Sequence, residues 1–374
     1  MRNTDMKKPY APILATCSAA ALLLTAGCAS GVGTESSTES SAAASFTPAS
    51  SGELHIYTWS DYYPTDLLES FESDTGIKAT IDYYESNEAL MSKMEATSGS
   101  GYDIVVPSDY AVQLLADDGL LQKINALDLP NGSNIEEDFR EVYYDKGREY
   151  SAPYLYGTTG YMYDSSLLKD GEEAPDSWED YFTSDAAWNK SPGIFNDQTD
   201  GVNAALRATG GEPCSTDAKE LQAAQDLLME YKSKVQNISS DTVIDRLISG
   251  ENSVAMIWNG AGHRVTTEKS SMTYVYAKEG VSSYQDNWAV PSGAENVQQA
   301  LTFINWMLEP EHAAAAANYQ GYDAGITGVD KLLDESLRND PAVMPPDDAD
   351  IELIPTCSNA TINSYSKIWE SFRS

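Results

Sequence analysis

Residues 57–63, "YTWSDYY", set four aromatic rings around Ser60 and Asp61. Ring faces attract cations, and a carboxylate accepts charge-assisted hydrogen bonds from an ammonium, so this mixture could wall a cation box. It could equally close the edge of a core. The mixture recurs along the chain: Ser108, Asp109 and Tyr110 in "VPSDY", Asp197 and Asp200 in "FNDQTDG", Trp258 in "MIWNGAG", where a strand is expected to run into a Gly-rich loop, and Tyr284 and Asp286 in "SSYQDNW". Each has an ordinary reading on its own. Ser108 suits a helix N-cap, Asp197 and Asp200 suit a helix dipole, and a tryptophan at a strand end suits a core. Independent strands that all end in a ring plus an acid or hydroxyl are harder to ascribe to chance.

Catalytic chemistry has little to work with. His55, His263 and His312 are far apart in the chain, and no metal-ligand spacing, phosphate loop, dinucleotide fingerprint or nucleophile elbow occurs. No cofactor and no metal is expected. A carboxylate pair can hydrolyse glycosides, yet Asp197 and Asp200 share one helix start and do not face each other from two strands. Binding uses the rings and the acids together. The rival binder, a cage for a quaternary amine, needs the rings and no distal acid.

The elements that position these residues read as strand then helix, repeated. "ELHIYTW", "IKATIDYY", "YDIVVPS" and "SVAMIWN" have strand length and strand patterning, and "PTDLLESFESDTG" and "NEALMSKMEATSG" have helical spacing. The first helix starts at Pro64 and Thr65, turns Leu67, Leu68 and Phe71 to one side and stops at Gly76. Such alternation predicts an α/β fold on parallel strands. Ligands bind such sheets at the carboxyl ends of the strands, where the motifs lie.

The chain of 374 residues, 41% hydrophobic, is long enough for two domains with cores. It carries 58 acidic against 23 basic side chains, a formal charge of -35. That surface repels nucleic acid and anionic membranes and attracts cations; it also serves solubility. Arg2, Lys7 and Lys8 precede "ILATCSAAALLLTAG", which is too short for a comfortable membrane span and reads as an export signal. It ends in "LLTAGC", which resembles a lipobox, although Thr25 stands where leucine is more usual; Cys28 would take the lipid. Residues 29–52 have the composition of a flexible tether, with folding expected to begin near Glu53. Of the remaining cysteines, Cys17 leaves with the leader, and Cys214 and Cys357 either pair or stay reduced in a compartment where disulfides persist.

The segments "YTWSDYYPTDLLESFESDTGIK", "YYESNEALMSKM", "GYDIVVPSDYAVQLLADDGLLQKI", "YSAPYLYGTTGYMYD", "SVAMIWNGAG" and "ALTFINWMLEPEHAAAAANYQGY" resemble the spermidine/putrescine-binding proteins of bacterial ABC importers. The resemblance implies a two-lobed periplasmic-binding-protein-like fold with hinge strands and a ligand cleft between the lobes. Residues 1–27 would be the lipoprotein signal and residues 28–52 the lipid-anchored linker. Residues 53–157 with about 287–322 would form lobe 1, and residues 158–286 with about 323–374 lobe 2. Crossings are expected at "YSAPYLYGTTGYMYD", at "YQDNWAVP" and after Tyr322.

Carried over by motif, Trp59 and Tyr62 would be walls, with Ser60 and Asp61 on one amine. Ser108 and Tyr110 match the second loop, with Asp109 between them where an uncharged residue is common. Asp197 and Asp200 match a pair of acids, Trp258 a stacking ring, Asp286 the acid that grips an amine, and Tyr322 a late ring. Tyr284 replaces a Trp or Phe, and a late glutamine has no counterpart around "ELIPTCSNATINSY". The implied protein is a monomer outside the cytoplasm, tethered to the membrane through Cys28, that binds a polyamine, hands it to an ABC permease, catalyses nothing and binds no nucleic acid.

Overall fold

The computed structural model describes residues 45–60 and 62–374. The expected leader, Cys28 and Asp61 lie outside the described residues. Among the described residues no helix is long and apolar enough to cross a membrane.

Strand β1 (Gly52–Trp59) buries Leu54, Ile56 and Thr58, with His55 exposed and Tyr57 half-buried between them, the alternation of a strand with one face on a core. It pairs in parallel with β2 (Ile77–Tyr84) and β3 (Ile104–Val105). Helix α1 (Thr65–Thr75) begins after an extended Pro64 and ends at a left-handed Gly76, burying Leu67 and Phe71. Full burial of a phenylalanine such as Phe71 contributes about 1.5–3 kcal/mol. Helices α2 (Asn87–Thr97) and α3 (Asp109–Asp117) follow β2 and β3, so three loops emerge at one edge of the sheet. A small hairpin, β4 (Glu141–Val142) with β5 (Asp145–Lys146), leads into β6.

Strand β6 (Ser151–Asp164) is long enough to leave one core and enter another. Its Ala152, Tyr154 and Leu155 pack in the first core and its Tyr161, Met162 and Tyr163 in the second. The second lobe then builds α4 (Trp178–Thr183), β7 (Pro192–Ile194), α5 (Gln198–Ala208), α6 (Ala218–Tyr231), β8 (Asn237–Ile238), α7 (Val243–Ser249), β9 (Val254–Trp258), α8 (Asn259–Glu268) and β10 (Met272–Val275). Strand β11 (Val281–Ala289) returns beside β6, and α9 (Val297–Met307) and α10 (Pro310–Gln320) pack on the first core. Past α11 (Glu335–Arg338), β12 (Ile351–Leu353) pairs with β11, and α12 (Asn359–Arg373) ends on the second core. The strand order is β2-β1-β3-β11-β6-β9-β7-β8, with β10 added to β6 and β12 to β11.

Four expectations are revised. The sheet is mixed, because β11 runs antiparallel to β3 and β6, and β6 antiparallel to β9 and β10. A chain that leaves a lobe and comes back must run both ways through the junction. The tether ends before residue 52: Phe46 and Ala49 pack on the first core, and Ala49 N–H donates to Thr302 Oγ1 at 2.9 Å. Ala324, Ile326, Val329, Leu333, Leu337 and Val343 lie in the first core, not with the second lobe, so the last crossing comes after residue 343. "NGAG" after Trp258 is the start of α8 and not a loop.

That last difference has a packing reason. A Cβ on Gly260 would lie 2.5 Å from the Tyr322 ring, so glycine is what lets α8 touch that ring. Gly260→Ala is expected to push Tyr322 aside and destabilise the protein by about 1–3 kcal/mol, read from denaturant unfolding. Cys214 and Cys357 are joined, with Cα atoms 5.2 Å apart, which fastens the segment after β12 to the loop after α5.

Candidate functional site

The loops after β1, β2 and β3 and those after β7 and β9 face one another across the crossing strands, and between them lies a cavity of about 650 Å³. Among the described residues, Trp59, Ser60, Tyr62, Ser108, Tyr110, Asp197, Asp200, Trp258, Tyr284, Asp286 and Tyr322 all line it. Asp61, expected beside them, lies outside the described residues.

Asp286 occupies one end. The pairing of β11 with β6 shifts register between Gln285 and Asn287, and such a bulge re-aims the residue it contains. Both carboxylate oxygens are held: Ser108 Oγ donates to Oδ1 and Tyr62 Oη to Oδ2, each at 2.6 Å. The Ser108 hydroxyl therefore serves Asp286 and caps nothing in α3. Burial pushes the Asp286 carboxyl up to about 6 against these two hydrogen bonds, which favour the ionised form.

Rings sheathe the space beside it. Tyr62 meets Tyr154 and Tyr322 edge-on, with centroids at 5.3 and 6.1 Å, and Tyr284 meets Tyr322 at 6.3 Å. Trp59 Nε1–H donates to the Val106 carbonyl at 3.0 Å, which fixes the indole against Tyr84. Trp258 leans on Phe195 at 4.2 Å. Tyr57 stacks on Tyr102 at 4.4 Å and does not line the cavity, and Tyr63 is buried in the first core.

The other end is acidic. Asp197 Oδ1 accepts from the Thr199 and Asp200 amides at 2.8 and 3.0 Å, so it caps α5 and also faces the cleft. Asp200 Oδ2 accepts from Thr159 Oγ1 at 3.2 Å. Asp197 and Asp200 are half-buried, screened by the walls but open to cleft water. Burial, then the Asp197 charge, push Asp200 up to about 8; burial raises Asp197.

Two further acids belong to the site: Glu88, which the motifs did not single out, and Asp109, which they named without a ligand role. Glu88, in the first turn of α2, accepts from Tyr110 Oη at 3.3 Å; burial and then Asp197 push it up to about 7. Asp109 is buried and accepts from the Gln285 amide at 3.3 Å; burial pushes it up to about 7. Glu88 sat inside a quoted stretch, and what would have found it is its position just inside a helix start at the cleft edge, which Asp109 shares. Thr356 also lines the cavity, in the stretch where no late polar contact was found, and donates to Gln113 Oε1 at 2.8 Å. His263 pairs with Asp340 at 2.7 Å, and His312 stacks on Trp306. Among the described residues no group of His, Cys, Asp or Glu is arranged to hold a metal.

The carboxyls raised in the folded state bind protons that the unfolded chain has released. Their contribution to stability is full below the ordinary carboxyl range near 4 and is lost as pH rises through about 6 to 8. A bound cation favours the ionised forms and reverses this. Calorimetry near neutral pH in buffers of different ionisation enthalpy is expected to register proton release on binding. Affinity should weaken toward pH 5, by about tenfold per pH unit for each proton released.

The family described as bacterial extracellular solute-binding protein matches residues 66–346, three quarters of the chain. The chain belongs to that family. This solute-binding protein is 34% identical over 337 residues to the putrescine-binding periplasmic protein SpuD of Pseudomonas aeruginosa, covering 86% of this chain and 92% of that one. It is 32% identical over 292 residues to the spermidine/putrescine-binding periplasmic protein of Escherichia coli, covering 78% and 83%. Its fold overlays the substrate-binding protein PotD of a spermidine/putrescine ABC transporter from Streptococcus pneumoniae with a TM-score of 0.73. That match has 27% identity and covers 86% of this chain and 99% of the other. The solute-binding protein therefore shares the two-lobed architecture, with β6 and β11 as the strands between the lobes.

Proposed function

We propose that this protein captures a linear polyamine in the cleft outside the cytoplasm and delivers it to an ABC permease without transforming it. The observation that carries the reading is the arrangement of charge: Asp286, gripped by Ser108 and Tyr62, stands at one end of a ring-lined cavity, and Asp197 and Asp200 at the other. A chain of methylenes with an ammonium at each end has that complementarity. Charge-assisted hydrogen bonds of about 1.5–3 kcal/mol each and cation–π contacts of about 0.5–2 kcal/mol supply micromolar affinity.

In this reading Asp286, Asp197, Asp200, Ser60 and Asp61 fix the amines. Trp59, Tyr62, Tyr110, Trp258, Tyr284 and Tyr322 cover the methylenes. The lobes, residues 46–157 with 287–343 and residues 158–286 with 351–374, close by bending at the crossing strands. The leader and lipobox support an anchor on Cys28 that tethers the protein to the membrane surface, and in this reading it works as a monomer. Relatives named for putrescine and spermidine binding support the ligand class.

The test is calorimetric titration of the purified, ligand-stripped protein with putrescine, cadaverine, spermidine and spermine, with choline as control. Micromolar or tighter binding of a polyamine is expected. Tight choline binding with no heat from any linear amine would overturn the reading.

A further inference from the structure

Helix α2 begins at the cleft with Ser86, Asn87 and Glu88 in three separate tasks. Ser86 Oγ accepts from the Ala89 amide at 3.2 Å and caps the helix, and Asn87 Oδ1 accepts from the Ser108 amide at 3.2 Å and ties the helix to the loop that holds Asp286. Glu88 is left to face the cavity, steered by the Tyr110 hydroxyl at 3.3 Å. Opposite it, from the other lobe, is Asp197, whose Oδ1 is already engaged in capping α5.

A second cavity, of about 320 Å³, lies beyond this pair. Glu88 and Asp197 line both cavities, whereas Asp200 and Asp286 line only the inner one. The pair therefore stands where the two cavities meet, and Asp286 does not. Glu85 and Asp241 also line both cavities, beside the pair, and Gln198 and Arg373 line the outer one without reaching the inner. A diamine seated at Asp286 and Asp200 leaves two carboxylates facing each other in a partly desolvated gap, which disfavours their ionisation. A longer cation with a third charge ends between them.

We propose that Glu88 is a further amine-binding residue, which with Asp197 makes a third ammonium station across the lobes and selects triamines over diamines. The inference rests on the polyamine reading of the same cleft. Glu88 contributes from lobe 1 and Asp197 from lobe 2, so the third ammonium also bridges the closed form.

The experiment titrates spermidine and putrescine into the purified full-length protein and into Glu88→Gln and Glu88→Asp, with thermal unfolding of each variant as a control for folding. The natural protein is expected to bind spermidine at least about tenfold more tightly than putrescine. Glu88→Gln should lose about tenfold for spermidine and less than about threefold for putrescine, and Glu88→Asp should recover part of the ratio, because the charge returns on a shorter arm. A merely structural Glu88 would move both ligands together. Equal affinity of the natural protein for the two amines, or a Glu88→Gln loss shared equally between them, overturns the role of Glu88 alone. Absence of binding to either amine overturns the polyamine reading and this inference with it.

Discussion

Exchanging Asp286 for asparagine is expected to lower polyamine affinity by about ten- to a hundredfold. The substitution keeps the size of the side chain and leaves oxygen for one of its two donors, so the bulge and the cavity walls have little reason to move. What disappears is the charge. The Ser108 and Tyr62 hydroxyls, both at 2.6 Å, are spent on orienting the two oxygens of this carboxylate and offer no substitute anion. A buried ammonium then loses a charge-assisted bond, about twice as strong as a neutral one, in a site with little water to replace it. Titration calorimetry of Asp286→Asn at neutral pH reads the effect, and undiminished affinity would remove Asp286 from the grip. The proton release on binding should also shrink, since a group held near 6 when the cleft is empty is gone.

Removing the Cys214–Cys357 bond, as the Cys214→Ser, Cys357→Ser double variant, is expected to cost about 2–4 kcal/mol of stability. The bond spans 143 residues of sequence, so it takes much freedom from the unfolded chain. Its surroundings are specific: the Cys214 amide donates to Tyr365 Oη at 2.9 Å, and that hydroxyl donates to Asn203 Oδ1 at 2.6 Å. Tyr365, Asn203 and Cys357 line the cavity, so the loss should reach the ligand as weaker binding. Denaturant unfolding of the double variant beside the natural protein gives the number. A midpoint unchanged by the substitutions would mean that the segment after β12 is held by its other contacts, such as Thr356 to Gln113.

The sequence made the site more legible than the boundaries. Rings and acids at strand ends are local patterns, and the sheet gathers them because β1, β2 and β3 are parallel, as are β7, β8 and β9. The direction of β11 is another matter. Nothing in "SSYQDNWAV" states that it will run against β3 on one side and β6 on the other, because pairing is decided by partners more than a hundred residues away. The segment carrying Ala324 and Val343 follows the same logic: its apolar residues suit either core, and only the tertiary fold assigns them to the first. Glu88 escaped notice because an acid in the first turn of a helix usually answers the helix dipole. Its second role comes from Asp197, which the fold brings across the gap.

Strands β6 and β11 pair from Ser151 with Ala289 to Thr159 with Ser282, interrupted once by the bulge that carries Asp286. Mechanically this makes the joint a ribbon that resists stretching and shear but yields to torsion. Rotation of one lobe against the other by torsion of this ribbon would leave its paired residues together. The bulge puts the amine-gripping Asp286 on the joint itself, so a change at the joint is felt at the site.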